Sequence, residues 1–376
     1  MTIAQNPALD SLKPAATRLG DTRKLNETQL AELQKEFDAL RDSIRADLGQ
    51  RDADYIQNII RIQRFCEIAG RTLIHFSFTP VGFMLGVTAL SISKIMDNME
   101  IGHNVMHGQY DWMNDPKIHS RTFDWDTACD NESWKRTHNY EHHTYTNIVG
   151  KDRDYGYAVL RLSDDTPWHP LRSIQIAYFA LLSIFFQWGV ALHEMETEKL
   201  RDGSFDLEKK KPYIKAMLKK AGRQAFKDYV FFPALAGPFF WKVMLGNGMA
   251  NLARNLWASS IIFCGHFTEG AQAFTEEECE NESKGHWYYR QMLGSSNFDG
   301  GRLLHIMSGH LSYQIEHHLF PDIPAHRYAE MSPKVQEIAE RFGLPYNTGS
   351  FGKQYASVIK RVLKYSLPTK GRKLEA

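Results

Sequence analysis

The sequence predicts an all-α protein of the integral membrane class, with about four transmembrane helices and a helical cap on the cytoplasmic side that gathers a cluster of histidines. Three observations carry that prediction. Apolar residues are bunched into long runs although mean hydropathy is only −0.43, and bunching is what a bilayer requires. A strongly basic segment, His193–Asp228, separates two of the runs and is assigned to the cytoplasm by the positive-inside rule. Histidines recur beside the runs at spacings that put side chains on one helical face.

Composition excludes other classes. The 376 residues carry 45 Lys+Arg against 44 Asp+Glu, a net charge of +1, which argues against a protein that neutralises nucleic-acid phosphates. Cys66, Cys129, Cys264 and Cys279 lack CxxC spacing, so neither a disulfide framework nor a zinc ribbon is expected and a reducing compartment is implied. No P-loop or GxSxG nucleophile motif is present.

The elements follow in order. The first fifty residues are polar and lack the basic and apolar regions of a secretory signal. Within them Leu30, Leu33, Phe37, Leu40, Ile44 and Leu48 recur at threes and fours, which predicts a helix from Asn26 to Leu48 with one apolar stripe, read as a packing helix rather than a membrane-surface one. Residues 1–52 form this N-terminal cytoplasmic region, 53–345 the membrane domain and 346–376 a basic C-terminal tail. The run Thr72–Ser93 is interrupted by Pro80 and reads either as one crossing or as a hairpin kinked at the proline, the latter bringing Arg61, Arg64 and Glu67 to the membrane edge. The charge-free run Ser173–Leu192 follows. The long run Tyr229–Phe267 has two legs, Val230–Leu245 and Leu252–Cys264, separated by GNGMAN, which reads as a turn and makes a membrane hairpin. That hairpin leaves from and returns to the basic side. For every histidine group to meet there, Ser173–Leu192 must lie in the interface rather than cross.

The histidines form three groups. His103 and His107 are four apart, His138, His142 and His143 repeat the pair and add a third donor, and HLSYQIEHH places His310, Gln314 and His317 on one face with His318 beside them. His266 stands alone at the end of the second hairpin leg. His103, His107, His138, His142, His143, His317 and His318, with His266 as an eighth, exceed what one tetrahedral zinc uses, so two metals are indicated, and a site rich in imidazole and poor in carboxylate favours redox chemistry and iron. Neutral imidazoles need partners on the far ring nitrogen; Asp97, Glu100, Asp152, Asp154 and Glu316 are close enough in sequence, and one or two of them are expected to serve. His75, His119, His169, His193, His286, His305 and His326 are read as surface or hydrogen-bonded core residues. Trp112, Trp125, Trp134, Tyr140 and Tyr145 interleave with the groups, as interface anchors or as the lining of an apolar tunnel.

In their order, and in the stretches GHNVMHGQYDWMNDP, HNYEHHTYTNIVGKDRDYGY and QIEHHLFPDIPAHRY, these groups closely resemble the three histidine boxes of the membrane-bound di-iron fatty-acid desaturases, and more narrowly the bacterial acyl-CoA branch. The resemblance spans roughly residues 55 to 345. It implies an O2-dependent fatty-acyl desaturase that introduces a cis double bond at two iron ions held by His103, His107, His138, His142, His143, His266, His317 and His318. Glutamine stands where many relatives have the histidine that opens the third box, so Gln314 binds iron weakly, through water or not at all, with His310 as the substitute. The resemblance further implies a long-chain acyl substrate on CoA or lipid, a bacterial inner-membrane location with a cytoplasmic active site, and contact with membrane lipid. His169–Pro170 is followed by Leu171 and Arg172 rather than by a haem motif, so electrons come from an external donor such as ferredoxin or a flavin reductase. A di-iron alkane or lipid hydroxylase is the nearer alternative, and a non-enzymatic metal-binding protein or transporter the farther one.

Overall fold

The computed structural model describes residues 25–369 apart from 194, 197, 198 and 200–202; the segment read above as free of a secretory signal lies partly outside them. Among the described residues the chain is helical, and its only β pairing is two isolated bridges. Helix α1 (Glu27–Ala46) starts where the periodicity places it. Asn26 accepts the Gln29 N–H at 3.0 Å while the Gln29 side chain accepts from Asn26, a reciprocal cap. Its stripe residues Leu30, Leu33 and Phe37 are buried. Phe37 packs 5.2 Å from Tyr288 and 6.0 Å from Phe320, so the stripe is a core face, and each such side chain contributes about 1.5–3 kcal/mol.

Around Pro80 the chain forms a hairpin. Helices α2 (Gln50–Phe76) and α3 (Pro80–Met96) run back to back, with Pro80 in the first turn of α3 and Thr79 capping it through the Gly82 N–H at 3.1 Å. Two glycines allow the contact. A Cβ on Gly70 would lie 2.6 Å from the Leu90 nitrogen, and one on Gly86 would lie 2.9 Å from the Ile74 nitrogen.

The run Ser173–Leu192 is broken into α4 (Gln175–Ile184) and α5 (Phe186–His193). Among the described residues no single helix is long and apolar enough to cross a membrane; the stretch Pro170–Ile184 with Phe186–His193 is, as a pair, but it bends by 100°. The basic segment forms α6 (Leu207–Phe226), which continues through a wide π turn into Phe232–Ala234.

The expected turn at GNGMAN is absent, because α7 (Phe240–His266) runs unbroken through it. The chain reverses earlier, at Gly237, whose φ is +53°. The misleading residues serve tertiary contacts instead. Asn247 and Asn251 donate to Asp228 at 2.6 and 3.0 Å, and a Cβ on Gly246 would press against Ile74 at 3.0 Å. The polar composition that resembled a turn is thus the packing face of a helix.

Helices α8 (Lys284–Gly294), α9 (Gln314–Leu319) and α10 (Tyr328–Phe342) complete the cap with α1. Residues beyond 350 form α11 (Phe351–Ser366), whose buried Val358 and Val362 join Phe179, Ile261 and Phe263 in the core under the histidines.

Candidate metal centre

Each histidine group sits where a helix is locally widened or ended. The first leaves α3 through a π-helical turn, Asp97–His103, and the second occupies another, Lys135–His142. A π turn closes i to i+5, and so brings both His142 and His143 back to His138, at ring separations of 5.0 and 5.1 Å. The third group is α9, and His266 is the last residue of α7.

The structure brings together all eight histidines named from sequence. Ligand nitrogens of His103, His107, His138 and His317 lie within 4.8 Å of one another, as do those of His142, His266 and His318; His143 joins His317 and His318 in a third set that lies between them. This partition suits two adjacent metal ions.

Two further observations fit metals to these residues. The Nε2 atoms of His107, His138, His143, His317 and His318 are buried without a hydrogen-bond partner, an arrangement that costs about 1–3 kcal/mol per atom unless something fills the space between them. In six of the eight the opposite nitrogen is held, while His143 Nδ1 is buried without a partner. Nδ1 of His103 meets Asn104 Oδ1 at 3.0 Å, that of His138 meets Asp154 at 2.9 Å, and that of His142 meets both oxygens of Asp152 at 3.0 Å. His266 Nδ1 faces the Gly294 carbonyl at 3.1 Å, His317 Nδ1 the Tyr328 hydroxyl at 3.3 Å and His318 Nδ1 the Gln291 Oε1 at 2.9 Å. Holding Nδ1–H outward turns the Nε2 lone pair inward.

Electrostatics favour the neutral, ligating form. Burial, followed by the neighbouring His138, pushes His103 down to about 3, and burial with mutual repulsion holds His107, His143, His317 and His318 well below the ordinary histidine range. His142 departs from this pattern: burial acts to lower it, but the Asp152 carboxylate outweighs burial and raises it.

Of the five carboxylates weighed, Asp152 and Asp154 reach cluster histidines. Glu100 accepts from Tyr55 at 2.6 Å and faces His310, Asp97 accepts the Asp126 N–H at 2.8 Å, and Glu316 accepts from Asn297 and Tyr346. His310 does not substitute for Gln314. Gly309 and His310 take positive φ, +66° and +55°, which breaks the helix before α9, so the face once drawn through His310, Gln314 and His317 does not exist. His310 instead pairs with Glu100 at 3.0 Å. Gln314 lies in the cluster, its Nε2 2.9 Å from His266 Nε2 and its Oε1 buried without a partner. Sequence reasoning missed Gln291 and Tyr328, whose roles depend on chain crossings that no local pattern reports. Asn104, beside His103 in the first box, was the legible omission.

A cavity reaches the histidines, with Trp125, Trp134, Tyr157, Phe186, Ile262 and Phe267 in its wall. Trp125 and Trp134 are thereby lining residues, whereas Trp112 and Tyr140 are exposed. An all-helical frame holding eight imidazoles in overlapping metal-sized sets beside a mostly apolar cavity is compatible with a metal site.

The chain belongs to the fatty acid desaturase family: the family model for fatty acid desaturases matches residues 77–350. It is 46% identical over 350 residues to the NADPH-dependent stearoyl-CoA 9-desaturase of Mycobacterium tuberculosis, covering 92% of this chain and 82% of that one. The sn-1 linoleoyl-lipid 6-desaturase of a Synechocystis strain is 26% identical over 282 residues, 72% of this chain and 77% of that one.

Proposed function

We propose that this desaturase acts on a long-chain acyl-CoA, placing a cis double bond at C9, with O2 as co-substrate and electrons from an external NADPH-dependent reductase or ferredoxin. The observation that carries the reading is the apolar cavity ending on inward-facing, unpartnered imidazole nitrogens. The choice of CoA, C9 and NADPH is supported by the mycobacterial relative's name.

In this reading His103, His107, His138, His142, His143, His266, His317 and His318 hold two iron ions, with Gln314 a weak or water-mediated ligand. Bound there, iron and O2 supply an oxidant strong enough to take hydrogen from an unactivated methylene pair, which no side chain provides. The protein's own part is positioning. Asp152 and Asp154 hold His142 and His138 in one tautomer, and Trp134, in the cavity wall, stacks 4.5 Å from His138. Exposed Phe65, Ile68, Phe76 and Phe78 near α2 and Phe240, Trp241 and Leu245 on α7 support a seat in the bacterial inner membrane with the histidines toward the cytoplasm.

The test is gas chromatography with mass spectrometry of fatty acids from a desaturase-deficient host expressing the wild-type chain or His142→Ala. A C9 monoene with the wild type alone is expected. A hydroxylated lipid would move the assignment to hydroxylase, and a double bond elsewhere would refute C9.

A further inference from the structure

The acyl cavity is not apolar throughout. Away from His266 its wall includes Thr127, Gln187, Arg254 and Asn255. These residues are connected. Asn255 Oδ1 accepts from Arg254 Nη2 at 3.2 Å and from the Gln187 backbone N–H at 3.4 Å, and Arg254 Nη1 donates to the carbonyl of Asp126, next to Thr127, at 3.3 Å. Yet Gln187 Oε1 and Thr127 Oγ1 have no hydrogen-bond partner, on residues only 7% and 4% exposed. Buried polar atoms left unpaired destabilise a fold, and a hydrocarbon chain satisfies neither.

One of these atoms is an acceptor and the other a hydroxyl able to donate. Together they match a secondary amide. We infer that this collar binds the pantetheine arm of a thioester substrate, with an amide N–H on Gln187 Oε1 and the amide carbonyl on the Thr127 hydroxyl. The inference rests on the acyl-CoA reading above and adds the seat of the substrate's polar end. A glycerolipid ester carries no N–H next to its acyl carbonyl and leaves Gln187 Oε1 unpaired.

Two features agree with the assignment. Across Trp125 and Asp126 lies a second cavity lined by Arg64, Arg71, Lys94, Lys220, Arg223 and Lys227 against fewer carboxylates, which suits the anionic far end of such an arm. Distance agrees as well. Asn255 precedes His266 on α7 by about eleven residues, roughly 16 Å of helix rise. An extended chain advances about 1.2 Å per bond, so about thirteen bonds fill that span, and the link from amide nitrogen to acyl C1 takes roughly a third of them. The rest of the chain brings C9 to the histidines.

The test compares equilibrium binding of S-stearoyl-pantetheine and S-ethyl thiostearate, which lacks the amide, to the full iron-loaded chain in nanodiscs without reductant. Product double-bond positions are then read with reductant supplied. The wild type is expected to prefer the pantetheine thioester by about 10-fold or more. Gln187→Leu and, separately, Thr127→Val should shrink that preference toward parity and scatter the double bond over neighbouring positions. An unchanged preference in both variants, or no preference in a wild type that desaturates both thioesters, overturns the collar and leaves the desaturase reading standing. A wild type that neither binds nor desaturates either thioester overturns the acyl-CoA reading itself. Stearoyl-CoA and stearoyl-loaded carrier protein, as further arms, identify which carrier delivers the arm, and a Gln187-dependent preference for either supports the assignment.

Discussion

Replacing Asp152 with asparagine separates the orientation of His142, a proposed ligand, from ligation itself. Asp152 is fully buried and accepts three donors: His142 Nδ1 at 3.0 Å, the Asn147 N–H at 2.7 Å and the Asp154 N–H at 2.9 Å. Asparagine keeps one oxygen but turns an NH2 group toward a donor, and it removes the charge that raises His142. Losing a charge-assisted bond in such surroundings is worth about 1.5–3 kcal/mol. If that loss falls on the metal-bound state, iron affinity drops about 10- to 100-fold. Iron binding by Asp152→Asn and wild type, titrated against a competing chelator and read by elemental analysis, measures it directly. Thermal unfolding of the metal-free forms separates this from a folding defect. Wild-type iron affinity in a folded Asp152→Asn protein would refute the reasoning, because the outer hydrogen bond would then contribute nothing to the site.

Other expectations follow from the same geometry. His317 belongs to two of the metal-sized sets, whereas Gln314 is proposed only as a weak or water-mediated ligand, so His317→Ala should lose iron and activity and Gln314→Ala should keep its iron stoichiometry; metal analysis beside product analysis decides. Gly70→Ala forces a Cβ to within 2.6 Å of the α3 backbone and should destabilise the hairpin by about 1–3 kcal/mol, measured as a lowered unfolding midpoint. His326 is pushed down to about 4 by burial, although Asp52 at 2.8 Å acts in the opposite direction. The unfolded chain therefore binds more protons between pH 4 and 6.5, and stability present at pH 7 should fall by about 2 kcal/mol at pH 5. His326→Gln should flatten that slope in unfolding curves taken across the range, and an unchanged slope would remove His326 as its source.

Much of this protein is written in local pattern. The stripe from Leu30 to Phe37 specifies α1, Pro80 marks the start of α3, and the histidine spacings name seven of the eight histidines that converge, His266 having no spacing partner. Each depends on neighbours within a turn or two, where periodicity is a physical constraint. What failed depended on partners far along the chain. Glycines and asparagines at 246–251 look like a turn until Ile74 and Asp228 are placed against them, and His310 looks like a ligand until Gly309 and its own positive φ turn it onto Glu100. The same holds for the outer partners of the cluster. Asp152 and Asp154 were separable from Asp97, Glu100 and Glu316 only once the loop after the second box had folded back, and Gln291 and Tyr328 reach their histidines from other helices. Sequence determined which side chains are candidates for the cluster because ligand type and helical spacing are local. Tertiary structure alone decided their orientation, since a hydrogen bond to the far ring nitrogen is made by whichever distant group packing brings there.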